Sequence, residues 1–215
     1  MSIHPTAIIE DSVILGENVT IGPYSVITGK VIIGSGTTIY SHCTIGGLGE
    51  YPSKRMDEIQ DNVGVVIGEN CIIRESVNIN AATIANQNTV IGNNCYIMTK
   101  SHVGHDVILE EGVVICSCAV IGGYSKIGTK TYVGLNSSIH QRSDVGGYCI
   151  IGAQSFFKGE SPDGITWAGT PATPKKVNFF NLNKNLKDGS QKSGIVDKAE
   201  LYIKNFSKSQ KKEKE

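Results

Sequence analysis

The sequence predicts an all-β chain wound as a parallel β-solenoid, because branched aliphatic residues recur at every sixth position. Counting by six from Ile3 reaches Ile9, Leu15, Ile21, Ile27, Ile33, Ile39 and Ile45 without a miss. A second run starts at Ile67 and continues through Ile73, Ile79, Ala85, Ile91, Ile97, Val103, Leu109, Ile115, Ile121, Ile127, Val133, Ile139, Val145, Ile151 and Phe157. A small residue stands two positions before nearly all of them, and glycine often follows, as at Gly16, Gly22, Gly122 and Gly152. A helix repeats near 3.6 residues and a plain strand every 2, so a strict six fits neither long helices nor a meander.

Each hexad makes one short strand and one turn, with the small residue letting the corner close. Three hexads complete a triangular coil of about 18 residues, and the chain holds about eight coils, stacked roughly 4.8 Å apart. Composition agrees: 25 glycines and only 7% aromatic residues suit strands and tight turns better than helix packing.

Two stretches leave the repeat. The spacing from Ile45 to Ile67 is not a multiple of six, so residues 47–62 form an excursion, and loops that interrupt a rigid scaffold often carry function. The period ends near Pro162, giving a solenoid over 1–162 and an appendage over 163–215. There a linker rich in Pro and Thr (167–174) leads to one short amphipathic helix with Ile195, Ala199, Tyr202, Ile203 and Phe206 on a single face. Residues 208–215 read as a disordered end.

Net charge is zero but uneven. Residues 1–159 hold 9 Lys/Arg against 13 Asp/Glu, and residues 160–215 hold 11 against 7, so a mildly acidic body carries a basic tail suited to an acidic partner. No segment approaches ~18 consecutive apolar residues and the N-terminus lacks a signal-peptide pattern, so no membrane span and a cytoplasmic location are expected. Nothing points to a nucleic-acid partner. Cys43, Cys71, Cys95 and Cys149 share one interior repeat position and read as small apolar packing residues rather than disulfides.

The chemistry concentrates in Ser101–Asp106. Val103 points inward in the repeat, so His102, His105 and Asp106 point outward. A carboxylate beside a histidine can fix its tautomer and stabilise the imidazolium, which makes His105 a candidate general base; a solvated surface pair is the plainer alternative. Residues 18 apart stack on successive coils. Gly123 then lies on His105, Tyr124 on Asp106, and His140–Gln141 about 10 Å further along. A base with an exposed amide one coil away suits acyl transfer. A wall alone makes no pocket, so the excursion, the C-terminal segment or a neighbouring subunit must complete it.

The hexad pattern resembles the hexapeptide-repeat, left-handed parallel β-helix transferases, which implies the left-handed coil and parallel homotrimers with sites in the clefts. More narrowly, Ile73–Ile79, Ser101–Asp106 and Ile139–Gln141 resemble the acyl-carrier-protein-dependent UDP-N-acetylglucosamine O-acyltransferases of lipid A synthesis, over roughly residues 3–180. That resemblance implies His105 as base, Asp106 as its partner and Gly123 as oxyanion amide. It places His102 near the sugar and His140, Gln141 and Asn178 near the nucleotide. Tyr124 stands where that family has a second sugar-site histidine, Phe180 where it has a glutamate, and Lys184 where it has a phosphate-binding arginine. No bound cofactor is implied; acyl-ACP or acyl-CoA is the cosubstrate.

Ile151–Ser155 and Ala168–Ala172 are similar instead to closing motifs of related N-acyltransferases, the latter also of CoA-dependent sugar acetyltransferases. A CoA-dependent N-acetyltransferase of a nucleotide amino sugar is therefore the alternative. A metal-dependent hydratase of the γ-carbonic-anhydrase kind needs three convergent histidines, which His102, His105 and the distant His140 do not supply. A purely scaffolding solenoid is the remaining reading.

Overall fold

The computed structural model describes residues 1–50 and 62–212, so most of the excursion expected at 47–62 lies outside the described residues. Among those described, three parallel sheets form the faces of a triangular prism. The first wall has ten strands, from Ser2–Ile3 to Thr173–Val177. The second has eight, from Ile8–Ile9 to Phe156–Phe157, and the third has eight, from Ile14–Leu15 to Glu160–Ser161.

Most strands are only two residues long, one facing in and one facing out. The inward column from Ile21 through Ile151 is almost completely buried and forms one continuous core. The ordinary 18-residue step pairs Ile3 with Ile21 and Val103 with Ile121.

The corners show why the residue before each strand is small. Ser25 Oγ donates to Tyr40 O at 2.7 Å, Thr131 Oγ1 to Gly146 O at 2.7 Å and Cys43 Sγ to Arg74 O at 3.0 Å. Cys71, Cys95 and Cys149 make the same kind of contact, to Gly92 O, Glu110 O and Pro162 O. These cysteines pack in the core as expected, but their position asks for a small donor, not merely a small apolar group. Each satisfies a carbonyl of the following coil. Asn, Asp, Tyr and Arg at the turns take the left-handed conformation, as at Asn94 (φ 58°) and Asp106 (φ 58°), a geometry for which Asn and Asp are the favoured non-glycine residues.

Two coils are longer than the rest. Ile39 pairs with Ile73, reflecting the expected excursion, and Ile73 pairs with Ile97, revealing a second. The hexad count took residues 79–91 as continuous, with Ala85 pointing inward. Instead the chain leaves the coil after Asn80 and re-enters at Asn88, looping out one whole hexad.

The region beyond Pro162 also differs from the expected linker. Ile165–Ala168 extends the first wall and pairs antiparallel with Thr173–Val177. Two helices follow, α1 (Phe179–Asn185) and α2 (Gly189–Lys212). Asp188 caps α2 by accepting from Ser190 N at 2.8 Å. The amphipathic face is as expected: Ala199 is buried, and Tyr202 and Phe206 set their rings on Trp167 at 5.9 and 6.3 Å. Anchored there, α2 continues to Lys212, past the expected frayed end at 208. No helix among the described residues is long and apolar enough to cross a membrane.

Adjacent residues of one strand test the inward–outward alternation. Leu109 is fully buried and Ile108 is 43% exposed. Leu109→Ala should cost about 2–5 kcal/mol, whereas Ile108→Thr should stay within about 0.5 kcal/mol. Urea unfolding of both variants checks this, and equal losses would contradict the alternation.

Candidate functional site

Both long coils depart from the same edge of the prism, between the second and third walls, and His105–Asp106 lies on that edge in the next coil. Along it follow Gly123–Tyr124 and then Gln141–Arg142. Their register is set by backbone bonds of 3.0 Å from Tyr124 N to His105 O and from Arg142 N to Gly123 O. The stacking expected from the 18-residue step is therefore present. A Cβ placed on Gly123 would lie 2.7 Å from both Nε2 and Cε1 of His105, so the imidazole rests directly against that glycine backbone.

His105 and Asp106 lie on the outer side of the coil as expected, but the expected exposure to solvent is not observed. His105 is only 7% exposed and Asp106 only 9%. The cover comes from both excursions. The start of the first, at Gly49, passes so close that a Cβ there would fall 2.7 Å from His105 Cβ and 2.5 Å from Thr83 Cγ2. Asn80 Nδ2 holds this passage through Leu48 O at 2.8 Å. The looped-out hexad brings Thr83 and Ile84 onto Asp106.

Burying a carboxylate demands partners. Asp106 Oδ2 accepts from His105 Nδ1 at 2.8 Å, from Thr83 N at 2.9 Å and from Thr83 Oγ1 at 2.8 Å, while Oδ1 accepts from Ile84 N at 3.2 Å. Tyr124 OH lies 3.0 Å from Thr83 Oγ1, and the Tyr124 ring meets the His105 ring edge-on at 4.8 Å. The Arg142 guanidinium stacks over the Tyr124 ring, 4.6 Å from its centroid. Ionised carboxylate oxygens only accept, so Nδ1 of His105 carries the proton and Nε2 is the basic nitrogen. That is the tautomer a general base requires.

The remaining expected residues divide in two. His102 stands one strand before this turn, half-buried, with Nδ1 2.8 Å from Asn78 Oδ1. His140 and Gln141 lie on the same edge as His105; His140 Nδ1 contacts Gln141 O at 2.9 Å and its ring packs on Phe156. Asn178 and Lys184 stand elsewhere. Asn178 is buried as the N-cap of α1 and donates to Tyr148 O at 2.8 Å. Lys184 lines a groove of about 320 Å³ with Lys130, Tyr132, Ile150 and Phe180. Tyr148 and Lys130 turn between the third and first walls, so within one chain these two residues do not join His105. Thr83 was missed by sequence reasoning, since hexad counting absorbed it into the coil. The weak Ala85 was the only signal of the break. Among the described residues no three His, Cys, Asp or Glu side chains converge as for a metal.

His102 gives the site a pH signature. Burial holds its imidazolium below the ordinary value of 6.5; the Glu50 carboxylate opposes this and His105 adds to it. The unfolded chain therefore takes up this proton first as pH falls through about 6.5, and the folded state loses stability there. Replacing His102 with Gln should flatten the decline between about pH 7.5 and pH 5.5, as urea unfolding at both values would show. An unchanged decline would assign the pH dependence to other groups.

The family model for the bacterial transferase hexapeptide (six repeats) matches residues 12–47 and 88–123. An acyl-[acyl-carrier-protein]–UDP-N-acetylglucosamine O-acyltransferase of Bartonella bacilliformis is 37% identical over 90 aligned residues, covering 35% of this chain and 32% of the relative. That sequence match thus spans about a third of the curated relative's length. The solved LpxA of Acinetobacter baumannii superposes with a TM-score of 0.77 at 26% identity, covering 92% of this chain and 82% of that one. The UDP-N-acetylglucosamine acyltransferase of Campylobacter jejuni gives 0.72 at 28% identity, covering 91% and 82%. The chain is a left-handed parallel β-helix bearing the bacterial transferase hexapeptide repeat, and it is similar to the UDP-N-acetylglucosamine O-acyltransferases.

Proposed function

We propose that this chain is an acyltransferase that moves an acyl group from a carrier-protein or CoA thioester to a nucleotide-linked sugar, with His105 as general base. One observation carries the reading: a buried His–Asp pair in the right tautomer, its ring set against the Gly123 backbone. The similarity to named O-acyltransferases favours a sugar hydroxyl as acceptor, UDP-N-acetylglucosamine first.

A sugar hydroxyl is a poor nucleophile at neutral pH. As its oxygen attacks the thioester carbonyl, its proton passes to Nε2 of His105, and Asp106 stabilises the imidazolium that forms. The carbonyl electron pair moves onto oxygen, and the role assigned to the Gly123 amide is to donate to it. Collapse of this intermediate breaks the C–S bond, and the departing thiolate takes the proton back from His105. His102, His140 and Gln141, along the same face and edge, are assigned to the acceptor. The basic tail, with α2 at its centre, suits an acidic carrier protein as donor.

Asn178 and Lys184 can serve the nucleotide only if a second chain brings that edge to His105. A homotrimer closed by three-fold symmetry does this. Light scattering should give three times the chain mass, and a monomer at micromolar concentration would remove both residues from the site.

Incubating the protein with UDP-N-acetylglucosamine and nucleotide amino sugars, each with hydroxyacyl carrier protein or acetyl-CoA, identifies donor and acceptor from the product mass. In the productive pair, His105→Ala should lower kcat by about 10²–10⁴-fold, with Asp106→Asn costing less because a neutral imidazole remains. Since the ring is buried, a melting curve must accompany the assay. A folded His105→Ala protein with near wild-type kcat would sink the assignment.

A further inference from the structure

Residues 81–87, the stretch that carries the extra hexad, run between two strands of the coil and deliver Thr83 to the buried Asp106 carboxylate on this edge. Thr83 Oγ1 is 2.8 Å from Asp106 Oδ2 and 3.0 Å from Tyr124 OH. A hydroxyl has one proton, and the carboxylate only accepts, so that proton goes to Asp106. Tyr124 must then be the donor to Thr83. The result is a directional chain: Tyr124 O–H to Thr83 Oγ1, Thr83 O–H to Asp106 Oδ2, and His105 Nδ1–H to the same carboxylate oxygen.

We infer that Thr83 and Tyr124 are positioning residues that act on His105 through Asp106. Resting on the proposed role of His105 as base, this moves Tyr124 from the acceptor site, where the family resemblance puts it, to the support of the acid–base pair. Three features beyond this chain of hydroxyl donors agree. The Tyr124 ring is held by two neighbours, meeting the His105 ring edge-to-face at 4.8 Å and lying beneath the Arg142 guanidinium at 4.6 Å. Thr83 is itself fully buried. Its backbone N–H also donates to Oδ2, so the residue grips one carboxylate oxygen twice. With the oxygen held this way, Asp106 cannot rotate away from Nδ1, and hydrogen bonds in sequence polarise one another.

Three variants of the full-length protein test this. Thr83→Val keeps the branched shape and the backbone N–H but removes the hydroxyl. Tyr124→Phe keeps the ring and removes its donor. Thr83→Ser restores the hydroxyl.

With the donor and acceptor that the wild-type protein turns over, Thr83→Val and Tyr124→Phe should each lower kcat by about 10-fold, leaving the acceptor KM within about two-fold. Thr83→Ser should stay within about three-fold of wild type. A substrate-independent reading comes from the downfield proton resonance of His105 Nδ1–H. Removing either donor leaves more charge on Oδ2 for the imidazole, so the resonance should move further downfield in both variants and return in Thr83→Ser. An unmoved resonance in Thr83→Val and Tyr124→Phe overturns the inference, as does a Tyr124→Phe effect confined to acceptor KM. His105→Ala in the same assay separates the two claims: full turnover there defeats the base itself, whereas lost turnover beside unaffected Thr83→Val defeats only the positioning role.

Discussion

Two-residue strands have no partner within their own coil, so every coil depends on hydrogen bonds to the coils before and after it. The ladder is regular: His102 N donates to Ala119 O at 3.0 Å, Gly104 N to Ile121 O at 2.9 Å and Gly122 N to Ile139 O at 2.9 Å. Side chains reinforce it where Ser, Thr and Cys at the corners donate to carbonyls of the following coil. This stacking leaves little room between corners. A Cβ on Gly122 would fall 2.6 Å from Gln141 N, so a larger residue there would push two coils apart. A site built on such an edge inherits its spacing from the backbone. Gly123 lies against His105 because the coils cannot stack otherwise.

A rigid edge positions groups but leaves them wet, and an exposed wall gives a base no protection from water. The chain departs from its repeat at this edge in two successive coils, immediately before the coil that bears His105. The first departure lays Gly49 on the imidazole, and the second supplies the donors that make a buried Asp106 tolerable. Without Thr83 and Ile84, a buried Asp106 carboxylate would exchange water for His105 and lose these three hydrogen bonds, a poor exchange for an ionised group. The irregular part of the fold is thus what turns a surface dipeptide into an enclosed His–Asp pair.

This division explains what could be read from the sequence. Periodicity exposed the solenoid because one aliphatic per hexad is a strong, repeated demand. The stacking of Gly123 on His105 and Tyr124 on Asp106 followed because no insertion lies between those coils. The second excursion was invisible for an equally physical reason: Ala81, Ala82, Ile84 and Ala85 are apolar or small, and a looped-out hexad preserves the count of six. The burial of His105 could not be foreseen, since its cover comes from residues distant in sequence. Asn178 is a further case. Its type fits a nucleotide contact, but in one chain it also caps α1 and donates to Tyr148 O, so its burial has a structural cause of its own.

The third wall shows how the two ends of the prism serve different needs. Its outward residues are apolar in the earlier coils, with Ile14, Ile32, Val66, Val90 and Ile108, and charged in the later ones, with Lys126, Asp144 and Glu160. The charged part is locally satisfied: Lys126 pairs with Glu110 at 2.9 Å, and with Asp144 and Glu160 it lines a groove of about 840 Å³ beside Tyr202 of α2. Among the described residues the apolar part has no such charged partner, and Ile14 is 61% exposed. Contiguous exposed aliphatics on a flat sheet favour burial against another surface. In the proposed trimer that burial would fall on the earlier coils, while the C-terminal coils keep their own cover in α2. The edge that bears His105 borders this same wall, where it meets the second.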